Sequence, residues 1–153
     1  MSNMNIQVTF LDGSQNWQDF ISQSAQTVSD VLGDSDFIDK VRNWKQFDFT
    51  QKSPGDVADA LVKAGIVSIK VGFYHNPLGL SIAKEKNGAV FFNTAKRNHG
   101  AGSPGNVAHE VMHVLGFSHD GDRPTRNANT IPYRIGEWVD EMLTGPAAHV
   151  REA

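Results

Sequence analysis

Alternation opens the chain. From Asn5 to Leu11, apolar Ile6, Val8 and Phe10 occupy every second position, which predicts a short strand with one buried face. Asp12-Gly13-Ser14 reads as a turn. The period then changes. From Asn16 to Leu32, Trp17, Phe20, Ile21, Ala25, Val28 and Leu32 recur at helical spacing, so an amphipathic helix is expected, ending near Gly33. Asp34 to Trp44 predicts a second, shorter helix through Phe37, Ile38 and Val41, and Phe47 to Thr50 a brief strand.

Ser53-Pro54-Gly55-Asp56 carries helix-start chemistry: a serine to cap, a proline at the first position and an acid in the first turn. That helix should run to Ala64 and Gly65. Ile66 to Tyr74, with Ile66, Val67, Ile69, Val71 and Phe73, is the strongest strand pattern in the chain. Asn76-Pro77-Leu78-Gly79 is a turn, Leu80 to Ala83 a weak strand and Lys84 to Gly88 a polar turn. Ala89 to Thr94 is another strand. Ser103-Pro104-Gly105-Asn106 repeats the earlier capping solution and opens a further helix. A polar loop follows as far as Thr130. Ile135, Trp138, Val139, Met142 and Leu143 then mark a closing helix with Gly145-Pro146 as its stop, and the tail from Ala147 to Ala153 is expected to be loose.

At 153 residues the chain is expected to be one domain, residues 1–153, large enough to bury a core. Fourteen basic against 17 acidic residues give a net charge of −3, too mild and mixed to suggest nucleic acid or a membrane surface as a partner. Cysteine is absent, so metal ligands have to come from His, Asp and Glu. No signal peptide is visible at the N-terminus, and no apolar run reaches the 18 or so residues of a membrane span.

One stretch carries chemistry. His109-Glu110-Val111-Met112-His113-Val114-Leu115-Gly116-Phe117-Ser118-His119 has the spacing H-E-x-x-H-x-x-G-x-x-H. On a helix, His109 and His113 lie one turn apart on the same face, where both can reach one zinc ion at about 2.0–2.1 Å. Gly116 can take the left-handed conformation that turns the chain sharply, bringing His119 back towards the same ion. Three protein ligands leave a fourth position for water, as a catalytic site requires. Glu110 points about 100° round the helix from His109, placed to act on that water rather than to bind the metal. Zinc lowers the pKa of such a water to about 7, and the carboxylate can take its proton and pass it to the leaving amine. At ordinary amino-acid usage, five specified positions with three histidines among them should coincide in fewer than ~10⁻⁷ windows, so chance is a poor explanation.

The stretch resembles, without a gap, the extended zinc signature of the metzincin metallopeptidases. The resemblance implies a zinc-dependent endopeptidase with one catalytic Zn2+, His109, His113 and His119 as ligands and Glu110 as general base. It also implies an α+β, zincin/metzincin-like fold. Its upper lobe, about residues 1–116, would hold a small mixed twisted sheet, two main helices and the active-site helix. Its small, loop-rich lower lobe, about 117–153, would end in a helix. The expected partner is a peptide or protein substrate, bound by a monomer in the cleft between the lobes. Such clefts often take substrate as an added strand, and Ala89, Val90, Phe91, Phe92 and Asn93, the last strand before the zinc helix, are the expected edge.

The chain departs from the family pattern at the methionine-containing turn under the zinc. Only Met142 follows the motif, at helical spacing. Thr130-Ile131-Pro132-Tyr133 is better placed for the turn, with Ile131 in the methionine's place and Tyr133 where some members carry a tyrosine. A tyrosine there binds zinc or hydrogen-bonds the developing oxyanion; the alternative is a core or rim tyrosine with its hydroxyl in water.

Other patterns carry less. Gly100 to Gly105 fits G-x-G-x-x-G, but no second parallel strand is expected after the helix, so a flexible entry loop explains the glycines better. Asp120 and Asp122 lack the further ligands of a calcium loop, and Asp120 is a poorer third ligand than His119. His75, His99 and His149 have no partner at ligand spacing. Two rivals to the endopeptidase remain: a non-catalytic zinc-stabilised binding or structural module, and a zinc hydrolase of cell-wall peptides. A structural site would want four protein ligands and has no use for Glu110.

Overall fold

The computed structural model describes residues 4–119 and 128–144, which form a mixed α/β structure with a small four-stranded sheet and several helices. The strands are β1 (Asn5–Phe10), β2 (Ile66–Tyr74), β3 (Ala83–Lys86) and β4 (Ala89–Asn93). The helices are α1 (Gln15–Leu32), α2 (Ser35–Arg42), α3 (Pro54–Lys63), α4 (Pro104–Val114) and α5 (Ile131–Thr144), with a short 3-10 segment, Thr94–His99, between β4 and α4. No helix among the described residues is long and apolar enough to cross a membrane.

The sheet order is β1-β2-β4-β3. β1, β2 and β4 run parallel, and β3 is an antiparallel edge strand hydrogen-bonded to β4. The helical crossover through α1, α2 and α3 supplies the length that a parallel β1–β2 pair needs. β2 buries Val67, Ile69 and Val71 on one face and leaves Ser68 and Lys70 exposed on the other, so helices cover one side of the sheet. Ile21, Val28 and Leu32 of α1, Leu61 of α3, Val107 and Val111 of α4, and Ile135 and Val139 of α5 join the same buried cluster.

The helix starts expected from sequence are built as expected. Ser53 Oγ accepts from Asp56 N at 3.0 Å while Asp56 Oδ2 accepts from Ser53 N at 2.9 Å, a reciprocal capping box with Pro54 in the first turn. Ser103 Oγ caps α4 by accepting from Asn106 N at 3.2 Å, without the reciprocal bond: Asn106 Oδ1 accepts from Gly102 N at 3.0 Å instead. Before it, Gly102 has φ +77°, and a Cβ there would meet Ile21 Cδ1 at 2.7 Å. The glycine-rich loop is therefore an entry loop lying close on α1, tied to it by Ser24 Oγ, which donates to Gly102 O at 2.8 Å.

Some expectations need correction. Phe47 to Thr50 is not a strand. Phe47 is buried, Phe49 has φ +56°, and the segment's backbone bonds to Asn129 rather than to a neighbouring strand: Asp48 N donates to Asn129 O at 3.0 Å and Asn129 Nδ2 to Gln46 O at 2.9 Å. The polar turn assigned to Lys84–Gly88 is mostly strand β3. Asn87 and Gly88 both have positive φ, 53° and 78°, the signature of a two-residue type I′ hairpin joining β3 to β4. Leu80, assigned to a strand, is 94% exposed.

The closing helix starts four residues earlier than expected, at Ile131, so Ile131, Pro132 and Tyr133 form its first turn rather than a separate turn of the metzincin kind. At its far end Met142 and Leu143 are exposed, not core; the buried stripe is Ile131, Ile135, Trp138 and Val139. The expectations for Asp120, Asp122, the Gly145-Pro146 stop, His149 and the tail fall outside the described residues.

Candidate metal centre

The end of α4 builds the site. Gly116 N donates to His113 O at 3.0 Å and Phe117 N to Met112 O at 2.9 Å, with Gly116 at φ +99°. These are the two bonds of a Schellman cap, completed by the apolar pair Met112 and Phe117, both buried. The same turn fixes the His113 ring. His113 Nδ1 lies 3.0 Å from Phe117 O; a carbonyl only accepts, so Nδ1 carries the proton and Nε2 keeps its lone pair for a cation.

His109, His113 and His119 converge. Each offers a ring nitrogen within 4.8 Å of the other two. His109 Nε2 and His113 Nε2 stand 3.1 Å apart. Two nitrogens bound tetrahedrally at about 2.0–2.1 Å would stand roughly 3.3 Å apart, so this pair needs a shift of only a few tenths of an ångström to share an ion. The three imidazoles can therefore hold a metal ion, and the donor set of neutral nitrogens suits zinc, copper, iron or nickel better than calcium or magnesium.

Tyr133, from the first turn of α5, stands over two of the three imidazoles, its ring centroid 4.4 Å from that of His109 and 4.8 Å from that of His119. A close crossing of α4 and α5 brings it there. A Cβ on Gly136 would meet Gly105 O at 2.6 Å, and Gly105 N donates to Asp140 Oδ1 at 2.9 Å. That bond also places a carboxylate at the N-terminus of α4, where the helix dipole favours it.

Glu110 is 8% exposed. Burial, with the neighbouring charge of Glu85 and a hydrogen bond to it, pushes its carboxyl up to about 8 in the protein alone. A bound dication would act in the opposite direction. Glu110, His113, Glu85, Ile69, Ala89 and Val90 line a cleft of about 230 Å³.

Glu85 is the residue that the sequence reading missed. It lies on β3 directly across from Val90, so both side chains point to the same face of the sheet, towards α4. Its Oε1 is 3.7 Å from His113 Nε2, and Glu85, Glu110 and His113 form a second group whose ligand atoms lie within 4.8 Å of one another. The signal was present: Asn87-Gly88 is a strong hairpin dipeptide, and reading it so would have made Lys84–Lys86 a strand beside the one leading to α4.

The expected substrate edge, Ala89 to Asn93, is overturned. β4 pairs with β2 on one side and β3 on the other, so its backbone groups are committed. Asn93 is internal scaffolding as well: its Nδ2 donates to Asn76 O at 2.9 Å and to Ser81 O at 3.1 Å, and its Oδ1 accepts from Asn76 N and Ala95 N. Ala89 and Val90 still line the cleft beside Glu110, but among the described residues the edge strand next to β4 is β3.

Compared with known proteins, the chain matches no family model, no curated protein and no solved structure.

Proposed function

We propose that the protein is a zinc-dependent endopeptidase of the metzincin type. The observation that carries this reading is Glu110: a buried carboxyl beside His113, one of three convergent imidazoles, lining a cleft with Glu85 of the edge strand β3. His109, His113 and His119 would hold the zinc, which when bound supplies a Lewis acid and a water of pKa about 7. Glu110 takes the proton of the attacking water and returns it to the leaving amine. Tyr133, whose ring packs against those of His109 and His119, would hydrogen-bond the developing oxyanion through its hydroxyl. A peptide would dock by adding a strand to β3, putting its backbone across the mouth of the cleft. The alternating Lys84, Glu85 and Lys86 suit an edge kept free of self-association, because Lys84 and Lys86 present charge on the side away from α4.

The test is cleavage-site profiling on a peptide library by the zinc-loaded protein. Cleavage is expected in the wild type and should be lost with a chelator and in Glu110→Gln. Retained cleavage in Glu110→Gln would remove Glu110 as the base, and no cleavage by the wild type would remove the activity.

A second reading, a non-catalytic zinc-stabilised module, draws support from one observation: Glu85 offers a carboxylate within reach of the same site, and structural zinc takes four protein ligands. A zinc hydrolase of cell-wall peptides would use the same chemistry on a different amide, and the library separates it only if cross-linked wall peptides are included.

A further inference from the structure

We propose that Glu85 is a fourth, displaceable ligand of the metal, which an incoming peptide must move aside. The inference rests on the zinc-centre reading and goes beyond it, because the signature assigns no role to a residue on this strand. Three observations carry it.

The first is distance. Glu85 Oε1 lies 3.7 Å from His113 Nε2. Two donors on one tetrahedral zinc stand roughly 3.3–3.5 Å apart, so a small side-chain rotation closes the difference. His113 Nδ1 is engaged by Phe117 O, which leaves Nε2 as the nitrogen facing both the ion and Glu85.

The second is the cluster. A carboxylate oxygen of Glu85, one of Glu110 and a ring nitrogen of His113 lie within 4.8 Å of one another. Glu85 is the more exposed of the two acids and is free to turn onto an ion held by the imidazoles, while the buried Glu110 stays for proton transfer.

The third is placement. The Glu85 side chain is 53% exposed, whereas Glu110 is buried. It stands on β3, a short edge strand that pairs only with β4 among the described residues. A peptide that adds to this edge passes beside Glu85, so the binding that aligns the scissile bond also shifts the group blocking water. A permanent structural ligand would instead be expected on a buried, doubly paired element.

The experiment uses the full chain loaded with zinc or with cobalt as a spectroscopic probe. Wild type, Glu85→Gln, Glu85→Asp and His113→Ala are compared for zinc affinity by chelator competition, with circular dichroism as the check on folding. Glu85→Gln should weaken zinc by at least about 10-fold and change the cobalt absorption spectrum, as loss of a ligand does. Glu85→Asp, a shorter carboxylate, should fall between the two.

In the Glu110→Gln background, adding a random-sequence peptide library should shift the cobalt spectrum towards that of the protein also carrying Glu85→Gln. In an otherwise wild-type protein, Glu85→Gln should lower KM for peptides, since the competitor is gone. Weaker zinc together with a lower KM is a combination that a merely structural role would not give.

An unchanged affinity and spectrum in Glu85→Gln would overturn the proposal. So would a Glu85-dependent spectrum that no peptide disturbs, which would favour the structural module. His113→Ala separates the two levels. Zinc bound as tightly in His113→Ala as in the wild type would defeat the metal-centre reading itself. Loss of zinc in His113→Ala with no effect of Glu85→Gln defeats only the role of Glu85.

Discussion

Gly136 of α5 packs against Gly105 of α4 so closely that a Cβ on the first would lie 2.6 Å from the carbonyl oxygen of the second. The contact lets α5 cross α4 beside His109 and brings Tyr133 onto the imidazole cluster. Two effects of Gly136→Ala oppose each other. Alanine is the better helix former by about 1 kcal/mol. Overpacking against a rigid backbone atom costs typically about 1–3 kcal/mol. The obstacle is backbone, not the end of a flexible side chain, so the clash should win, with a net loss of about 1 kcal/mol or more. Urea unfolding of the two proteins measures it; a more stable variant would show that the helices can separate without penalty.

Tyr133→Phe removes one hydroxyl and leaves the ring packing in place. If that hydroxyl hydrogen-bonds the oxyanion, turnover should fall by roughly 10²-fold while zinc content stays near that of the wild type. Steady-state kinetics with metal analysis of the same samples decides it. Unchanged turnover would leave Tyr133 a packing residue.

Metal binding should stabilise the fold. His109 and His113 sit on α4 and His119 lies beyond its Schellman turn, so an ion holding all three staples the helix to the chain that follows it. Zinc at 100 times its Kd contributes about 2.7 kcal/mol. Chelator should therefore lower the melting temperature of the wild type and leave that of His113→Ala unchanged. Equal melting temperatures of the wild type with and without chelator would argue against binding in the folded state.

The capping box of α3 gives a pH dependence. Asp56 is held below its ordinary carboxyl value of 3.8, chiefly by the backbone amide of Ser53, then by the Ser53 hydroxyl and the charge of Lys52. Its folded pKa is depressed, so the unfolded chain binds more protons through this window. The stabilisation is complete above the unfolded value and is lost as pH falls through the folded one. The stability gap between wild type and Asp56→Asn should be constant near neutrality and shrink as pH drops below about 4. A gap independent of pH, measured by denaturant midpoints, would mean that the carboxylate's charge contributes nothing to the cap.

Local signals in the sequence were read well where one physical rule governs. Ser53 and Ser103 cap because a serine followed by proline has few other solutions, and Gly116 turns because the backbone there needs φ +99°. Convergence of the three histidines followed from that turn and from the four-residue period of α4. Tertiary context decided the rest. Phe47–Thr50 has strand-like residues, but Asn129, some 80 positions away, takes its backbone bonds. Ala89–Asn93 was recognisable as a strand, but whether it lay at the edge depended on where β3 paired, and β3, the four-residue AKEK, carries almost no apolar pattern of its own. Missing β3 meant missing Glu85, whose approach to Glu110 is set by cross-strand register and not by proximity in sequence.

On this reading His109, His113 and His119 bind one ion together. Anomalous diffraction at the zinc edge, from crystals of the zinc-loaded protein, locates that ion directly. A single strong peak within bonding distance of a ring nitrogen of each of the three histidines is the expected result. A peak bound elsewhere, or three rings turned away from one another around no peak, would contradict it.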